Sequence, residues 1–362
     1  MTLIAQLSVN GAPFLIGDVL LSSETKTGFK VKLPLVGDIN QILTDHGLPF
    51  EVRFTQKINV FDGRIAVAWS GPRLQAERAL RPVAAMPSRG RVTAANVLAE
   101  LEAIDPEAID RLQLIGLVLE EVSNTAVSSS LFSVRVPPEH VPHFGNVCAA
   151  GSGRATFLHI LQNADWRGDP TANEYQVAHG LLGALTNQEF RTGHTIANRW
   201  GGGFEALSFS RELRRFDKIG DVLHTFWNVE QGSDESLALY PFFYKTTYWR
   251  DALILRSASL DTSEGIKLKT NDITLVPPLL KEIGDYDLTE LEPVDFSYRA
   301  VCCHVLIEKP FDRDLLLCID QRHAAQDILF QVDDSEGHLL LSDYLPSIIR
   351  EQLTHMTEKA VT

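Results

Sequence analysis

Sulfur is scarce in this chain, with four cysteines and three methionines among 362 residues. Two of the cysteines are adjacent (Cys302, Cys303) and none forms a Cys-x-x-Cys pair, so the sequence shows neither a disulfide framework nor a paired zinc spacing. Positive charge is also short: 33 Lys and Arg stand against 47 Asp and Glu, a formal net charge of −14. That balance argues against a nucleic-acid binder or a basic membrane-surface protein. No apolar run approaches the ~20 residues of a transmembrane helix. Met1-Thr2-Leu3-Ile4 lacks the basic segment and long apolar stretch of a signal peptide. The expectation is a soluble cytoplasmic protein without a nucleic-acid or membrane partner. Internal repeats and low-complexity tracts are missing too. What is present is 44% hydrophobic residues, enough to bury a core, on a chain too long for one typical domain.

The local patterns give an order of elements. Leu3, Ala5, Leu7 and Val9 alternate, Asn10-Gly11 is a strong two-residue turn signal, and Phe14-Leu15-Ile16 resumes a strand. A Ser/Thr/Lys-rich stretch at 22–30 and an irregular segment with Pro34, Gly37, Gly47 and Pro49 follow. Gln56 to Trp69 reads as a second hairpin turning at Asp62-Gly63. Ala76, Ala79, Leu80, Val83 and Ala84 have helical spacing, as do Ala94, Val97, Leu98 and Leu101. Strands are expected at 112–122 and 131–136, the pair ending at Pro137-Pro138, and at 144–150. Two helices carry Ala155, Leu158, Leu161 and then Val177 to Leu185; Gly201-Gly202-Gly203 breaks the chain before a strand at 204–209. Runs of strands between helix pairs point to an α+β layered fold. From about 216 the chain becomes β-rich and aromatic, with Phe226, Trp227, Tyr240, Phe242, Phe243, Tyr244, Tyr248 and Trp249.

Most chemical motifs weaken on inspection. Gly151-Ser152-Gly153-Arg154 lacks the Lys-Ser/Thr of a P-loop and the third glycine of a dinucleotide fingerprint. His140-x-x-His143 lies among prolines with no adjoining third ligand, which reads as a loop histidine pair rather than a metal site. Cys148 reads as a small buried hydrophobe. Cys302 and Cys303, adjacent on a strand, point to opposite faces. No metal or cofactor is expected. Thr2 stands out: after methionine removal its hydroxyl and a free α-amine, of unperturbed pKa near ~8, would share one residue, a recognised activated nucleophile.

Thr2 opens a strand–turn–strand ending in Gly17-Asp18, and Asp18 lies 16 residues after it. Lys57 precedes a hairpin, and Gly71 follows 14 residues later in Trp69-Ser70-Gly71-Pro72, before the first helix. Gly151-Ser152-Gly153 sits at a strand-to-helix junction, and Asn198-Arg199-Trp200-Gly201-Gly202-Gly203 precedes a strand. With these residues, in this order, the sequence resembles the N-terminal nucleophile hydrolases of the proteasome β-subunit and HslV-like family over about residues 1–210. The resemblance implies a four-layer αββα sandwich over 1–215, an insertion near 30–54, and a C-terminal β-rich extension at 216–362 with no counterpart in the family. It implies Thr2 as nucleophile, Lys57 as the charge beside it, Asp18 as the partner of Lys57, the Gly71 N–H at the oxyanion, Ser152 at the α-amine, and Asn198 in place of the family aspartate. Each residue also has an ordinary reading: Lys57 a strand-edge cation, Asp18 a turn acid, Ser152 a helix N-cap, Gly71 a turn glycine.

The sequence departs from the family as well. Lys57 follows Asp18 by 39 residues, about twice the usual separation, and Gly201 stands where the family carries a serine. The resulting expectation is a threonine hydrolase acting on peptides or a small amide. The alternative is a catalytically silent subunit of an assembly. A homo-oligomer is expected, with the helix at 173–190 and the aromatic tail as contact surfaces and an ATPase or regulatory partner open. The segment at 30–54, with Lys30, Lys32 and His46 among Leu33, Leu35, Ile39 and Leu43, is expected to shape the substrate cleft.

Overall fold

The computed structural model describes residues 2–24, 31–34, 37–48, 50–90, 92–121, 127–163, 172–192, 194–231, 237–261, 267–291, 298–307, 313–320, 330–333, 338–341, 346–347 and 350–351. Met1, Lys30 and Leu35 lie outside them. The described residues form a mixed α and β structure whose sheets are mostly antiparallel. A first, six-stranded sheet has the order Pro138–Val141, Gly145–Ala150, Ile4–Val9, Ala12–Asp18, Phe204–Ser210, Arg215–Ile219. A second, four-stranded sheet runs Val127–Val134, Gln113–Glu121, Ile65–Ser70, Ile58–Phe61. Both expected hairpins form. Asn10 and Gly11 take φ of 50° and 79°, Asp62 and Gly63 take 53° and 66°, the left-handed backbone that tight hairpin turns require.

Side-chain alternation divides the core. Leu3, Ala5, Leu7, Phe14 and Ile16 pack with Phe157, Leu161, Leu181 and Leu185 of the helices Arg154–Asn163 and Glu174–Thr192. The opposite residues of the same strands, Ile4 and Leu15, pack with Ala66, Ala68, Ile115 and Leu117 of the second sheet. That sheet sends Ile65, Val67 and Trp69 the other way, against Ala76, Leu80, Val83, Val97 and Leu101 of helices Arg73–Ala84 and Ala94–Glu102. Cys148 is 2% exposed and belongs to the core between the sheets.

A third, six-stranded sheet follows in the order Lys267–Val276, Ala252–Asp261, Leu237–Trp249, Val222–Gln231, Ala300–Ile307, Arg313–Asp320. Val222–Gln231 and Ala300–Ile307 are parallel; the other pairs are antiparallel. This sheet covers helix Glu174–Thr192: Val222 and Cys302 join its core, and the Phe190 ring lies 4.3 Å from that of Phe226. Cys302 and Cys303 are both fully buried, since both faces of their strand are covered.

Several sequence readings need correction. Four of the tail aromatics face inward rather than forming an outer surface: Phe226, Trp227, Phe243 and Tyr244 are at most 4% exposed, because the third sheet packs on its own chain. The helix at 173–190 is covered by that same sheet. The 30–54 segment is not irregular, for Ile39–Asp45 is a helix with Ile39 and Leu43 buried, and Glu51–Phe54 pairs with Leu20–Ser23. His140 is no loop residue, because Pro137-Pro138 leads directly into the edge strand Pro138–Val141. Proline at the start of an edge strand removes no ladder hydrogen bond.

Candidate functional site

The end of strand Ala12–Asp18 delivers Asp18 beside the start of strand Ile4–Val9, where the Asp18 N–H donates to the Leu3 carbonyl at 3.0 Å. The Thr2 hydroxyl donates to Asp18 Oδ1. Asp18 Oδ2 accepts the Gly201 N–H at 2.7 Å. Both carboxylate oxygens are therefore acceptors, an arrangement that suits the ionised form. Burial nevertheless raises the Asp18 pKa to about 6 against the opposing pull of Lys57, Thr2 and Gly201. Lys57 is 1% exposed, with its Nζ 4.0 Å from the centre of the Trp69 ring. Burial pulls its pKa down to about 8, while Asp18 and Glu205 hold it up. Thr2, Asp18 and Lys57 thus form one buried electrostatic unit.

Two glycines are required by the space around Thr2. Gly151 has φ of 93°, and a Cβ there would stand 1.9 Å from the Thr2 carbonyl oxygen. That oxygen accepts the Gly153 N–H at 3.1 Å, so the Gly151–Gly153 turn closes on the backbone of Thr2. Gly201 has φ of 98°, and a Cβ there would meet Glu189 Oε2 at 2.0 Å.

The remaining expected residues stand apart from this cluster in their contacts. Ser152 is exposed and its hydroxyl donates to the Arg199 carbonyl at 3.4 Å. Asn198 is exposed at the end of helix His194–Ala197, its N–H on the His194 carbonyl at 2.9 Å. The residue of that segment which reaches Asp18 is Gly201, through its backbone. Gly71 follows strand Ile65–Ser70 with φ of 129°, and the atoms that a Cβ would meet belong to Arg111 and Leu112.

Two buried carboxylates support the cluster and were missed. Glu189, fully buried, accepts the Gly202 N–H at 2.6 Å, the Gly203 N–H at 3.1 Å and the Thr195 hydroxyl at 3.2 Å. Burial lifts its pKa to about 7. It fixes the glycine loop whose first N–H meets Asp18. Glu205, 1% exposed, accepts the Lys57 N–H at 2.6 Å, the Ile58 N–H at 2.8 Å and the Lys218 ammonium at 2.8 Å. Each carried a sequence signal. Glu189 has no cation three or four residues away on its helix, and Glu205 interrupts the apolar strand Phe204–Phe209.

Chemically, the cluster offers a hydroxyl oriented by a carboxylate, with a lysine of lowered pKa acting on the same carboxylate. Among the described residues no group of three or more His, Cys, Asp or Glu could hold a metal ion, and no helix is long and apolar enough to cross a membrane. No protein-family model matches the chain, and no curated protein sequence matches it.

Proposed function

We propose that the chain is a cytoplasmic threonine-type amidohydrolase of the N-terminal nucleophile class, similar to proteasome β-subunits and HslV-like peptidases. Its fold in this reading is the four-layer αββα sandwich. The three cores support that layering, because they alternate helix pair, sheet, sheet and helix pair. The single observation that carries the functional reading is the bond from the Thr2 hydroxyl to Asp18, whose charge also acts on the buried Lys57.

With Met1 removed, the Thr2 Oγ1 attacks the amide carbonyl and its α-amine takes the proton. The acyl group passes to Oγ1, the proton passes to the leaving amine, and water then hydrolyses the ester. Lys57 supplies positive charge beside the developing oxyanion, and Asp18 holds the hydroxyl in line. Substrates are peptides or a small amide, and the 30–54 segment shapes their access. The third sheet occupies the outer face of helix Glu174–Thr192, a face that ring-forming relatives use between subunits, which favours a smaller homo-oligomer.

A second reading, a catalytically silent subunit, is favoured by burial, since Thr2 is 1% exposed and Asp18 is fully covered. Two measurements separate the readings. Intact mass shows whether Met1 is lost, and an electrophilic threonine-directed probe should label Thr2 alone. Thr2→Ala should abolish turnover and labelling, while Thr2→Ser should keep part of both. Retained Met1, or full activity in Thr2→Ala, would overturn the hydrolase.

A further inference from the structure

The three large sheets end in six edge strands, and five of these carry a feature that discourages pairing with another chain. Pro138–Val141 begins with proline and has only four residues. Arg215–Ile219 carries Arg215, Asp217 and Lys218. Ile58–Phe61 is also four residues long, and its Asn59 Oδ1 accepts the Leu279 N–H at 3.1 Å. Lys267–Val276 has Lys267, Lys269 and Asp272, with a register shift against its neighbour. Arg313–Asp320 has Arg313, Asp314 and Asp320.

The sixth edge, Val127–Val134, has none of these. Its sequence, Val-Ser-Ser-Ser-Leu-Phe-Ser-Val, contains no charge and no proline, on a chain with 22% charged residues. It pairs with Gln113–Glu121 through eight consecutive residues without a bulge, so its free edge is regular as well as long. Phe132 holds one face by packing with Val97 and Leu101 of helix Ala94–Glu102. On the other face Leu131, opposite Leu117 in the ladder, is 45% exposed, and Ser129 and Ser133 are exposed beside it. About half of a strand's N–H and C=O groups point to each side. Those on the outer side of this strand have no neighbouring strand among the described residues.

The absence of charge selects the occupant. A two-fold axis brings residues near their own copies, and like charges directly opposite one another repel. A two-fold contact therefore favours an uncharged strand, above all on a molecule of net charge −14. Antiparallel pairing about an axis perpendicular to the sheet keeps each side chain on its own face. A residue then meets its own copy, or one an even number of positions away. Centring the axis on Leu131 sets the two exposed leucines against each other and Ser129 against Ser133.

We propose that two copies of the chain pair antiparallel along Val127–Val134 about a two-fold axis at Leu131, joining two four-stranded sheets into one of eight strands. This names the surface of the small homo-oligomer proposed above, and it requires no reactive threonine.

Sedimentation of the full chain at micromolar concentration should give twice the monomer mass. Leu131→Lys puts a charge on the axis at an exposed position, and should weaken dimerisation at least ~100-fold. Leu131→Glu should do the same. Mixing the two variants should restore a dimer holding one of each, read by native mass spectrometry, because opposite charges then meet. Hydrogen exchange of the wild-type amides in Val127–Val134 should slow as the concentration rises from nanomolar to micromolar. That readout needs no variant, so it decides the matter even if a variant folds poorly. A wild-type monomer at micromolar concentration overturns the proposal and assigns the edge to a strand of another protein. A dimer whose exchange in Val127–Val134 is the same at every concentration also overturns it. So does a folded Leu131→Lys that dimerises like the wild type, or a pair of folded variants that fail to associate when mixed. Thr2→Ala should dimerise as the wild type does, which separates this result from the fate of the hydrolase reading.

Discussion

Helices Arg73–Ala84 and Glu174–Thr192 both lie against a sheet, yet they are buried in different ways. The first turns Ala76, Ala79, Leu80 and Val83 inward and leaves Arg78, Arg81 and Leu74 in solvent, Leu74 at 69% exposure. The second has the first sheet on one side and the third sheet on the other. Of its described side chains only Phe190 and Arg191 are exposed. A helix covered on one side can keep its polar residues in water. One covered on both sides must bury polar groups and then satisfy them. Glu189 does this by accepting the glycine-loop N–H groups, so the helix with the weaker amphipathic pattern also supports the site.

Removing the cover should have the largest effect. A chain ending at residue 221 loses Phe226, Tyr244, Leu253, Leu255 and Val276 from a core shared with Val19, Leu20 and Ile196. At about 2 kcal/mol for each large side chain, the loss matches the net stability of a typical protein. The truncated chain should show no cooperative thermal unfolding; a soluble, cooperatively folding product would mean that the second cover is dispensable. Next comes Glu189→Leu, which leaves the Gly202 and Gly203 N–H groups without their acceptor. A loss of about 3 kcal/mol is expected in urea unfolding, and about half as much for Glu189→Gln, whose amide oxygen still accepts.

The pH dependence should be smaller. Glu189 moves from 4.5 to about 7 and Asp18 from 3.8 to about 6 on folding. The folded state therefore holds protons that the unfolded state has released. The stabilisation is complete below about pH 4 and is lost as pH rises to about 7. Tm should fall by about 3–5 °C between pH 5 and 7, and the slope should flatten in Glu189→Gln. A flat wild-type profile would place neither carboxyl in a desolvated site. The smallest effect separates the two helices directly. Phe190→Ala should cost about 1–2 kcal/mol through its contact with Phe226, whereas Leu74→Ala should stay within about 0.5 kcal/mol. Equal costs would erase the distinction between a helix covered once and one covered twice.

Local structure was readable wherever the signal was local. Asn10-Gly11 and Asp62-Gly63 announce their hairpins, and Ala76 to Ala84 announces a helix with one buried stripe. Burial of the tail was not readable, because the parallel pairing of Val222–Gln231 with Ala300–Ile307 joins distant segments. Aromatic clusters look alike in sequence whether they face a partner or their own core. At the site, Thr2, Asp18 and Lys57 were readable as side chains. Asn198 drew attention for its side chain, while the group that meets Asp18 is the backbone N–H of Gly201, which leaves no trace in residue type. The 30–54 segment hid its helix because Ile39–Asp45 is only seven residues long, too short for a helical period to stand out.

The crowding at Gly201 also constrains how this sequence can drift. Any side chain at 201 would start 2.0 Å from Glu189 Oε2, on a backbone with φ of 98°. Neither position can therefore change alone. A descendant that acquired serine at 201 would first need a shorter residue at 189, and would then need another acceptor for the Gly202 and Gly203 N–H groups. Substitutions here should be inherited as a pair. Among diverging descendants of this chain, glycine at 201 and glutamate at 189 should be kept or lost together.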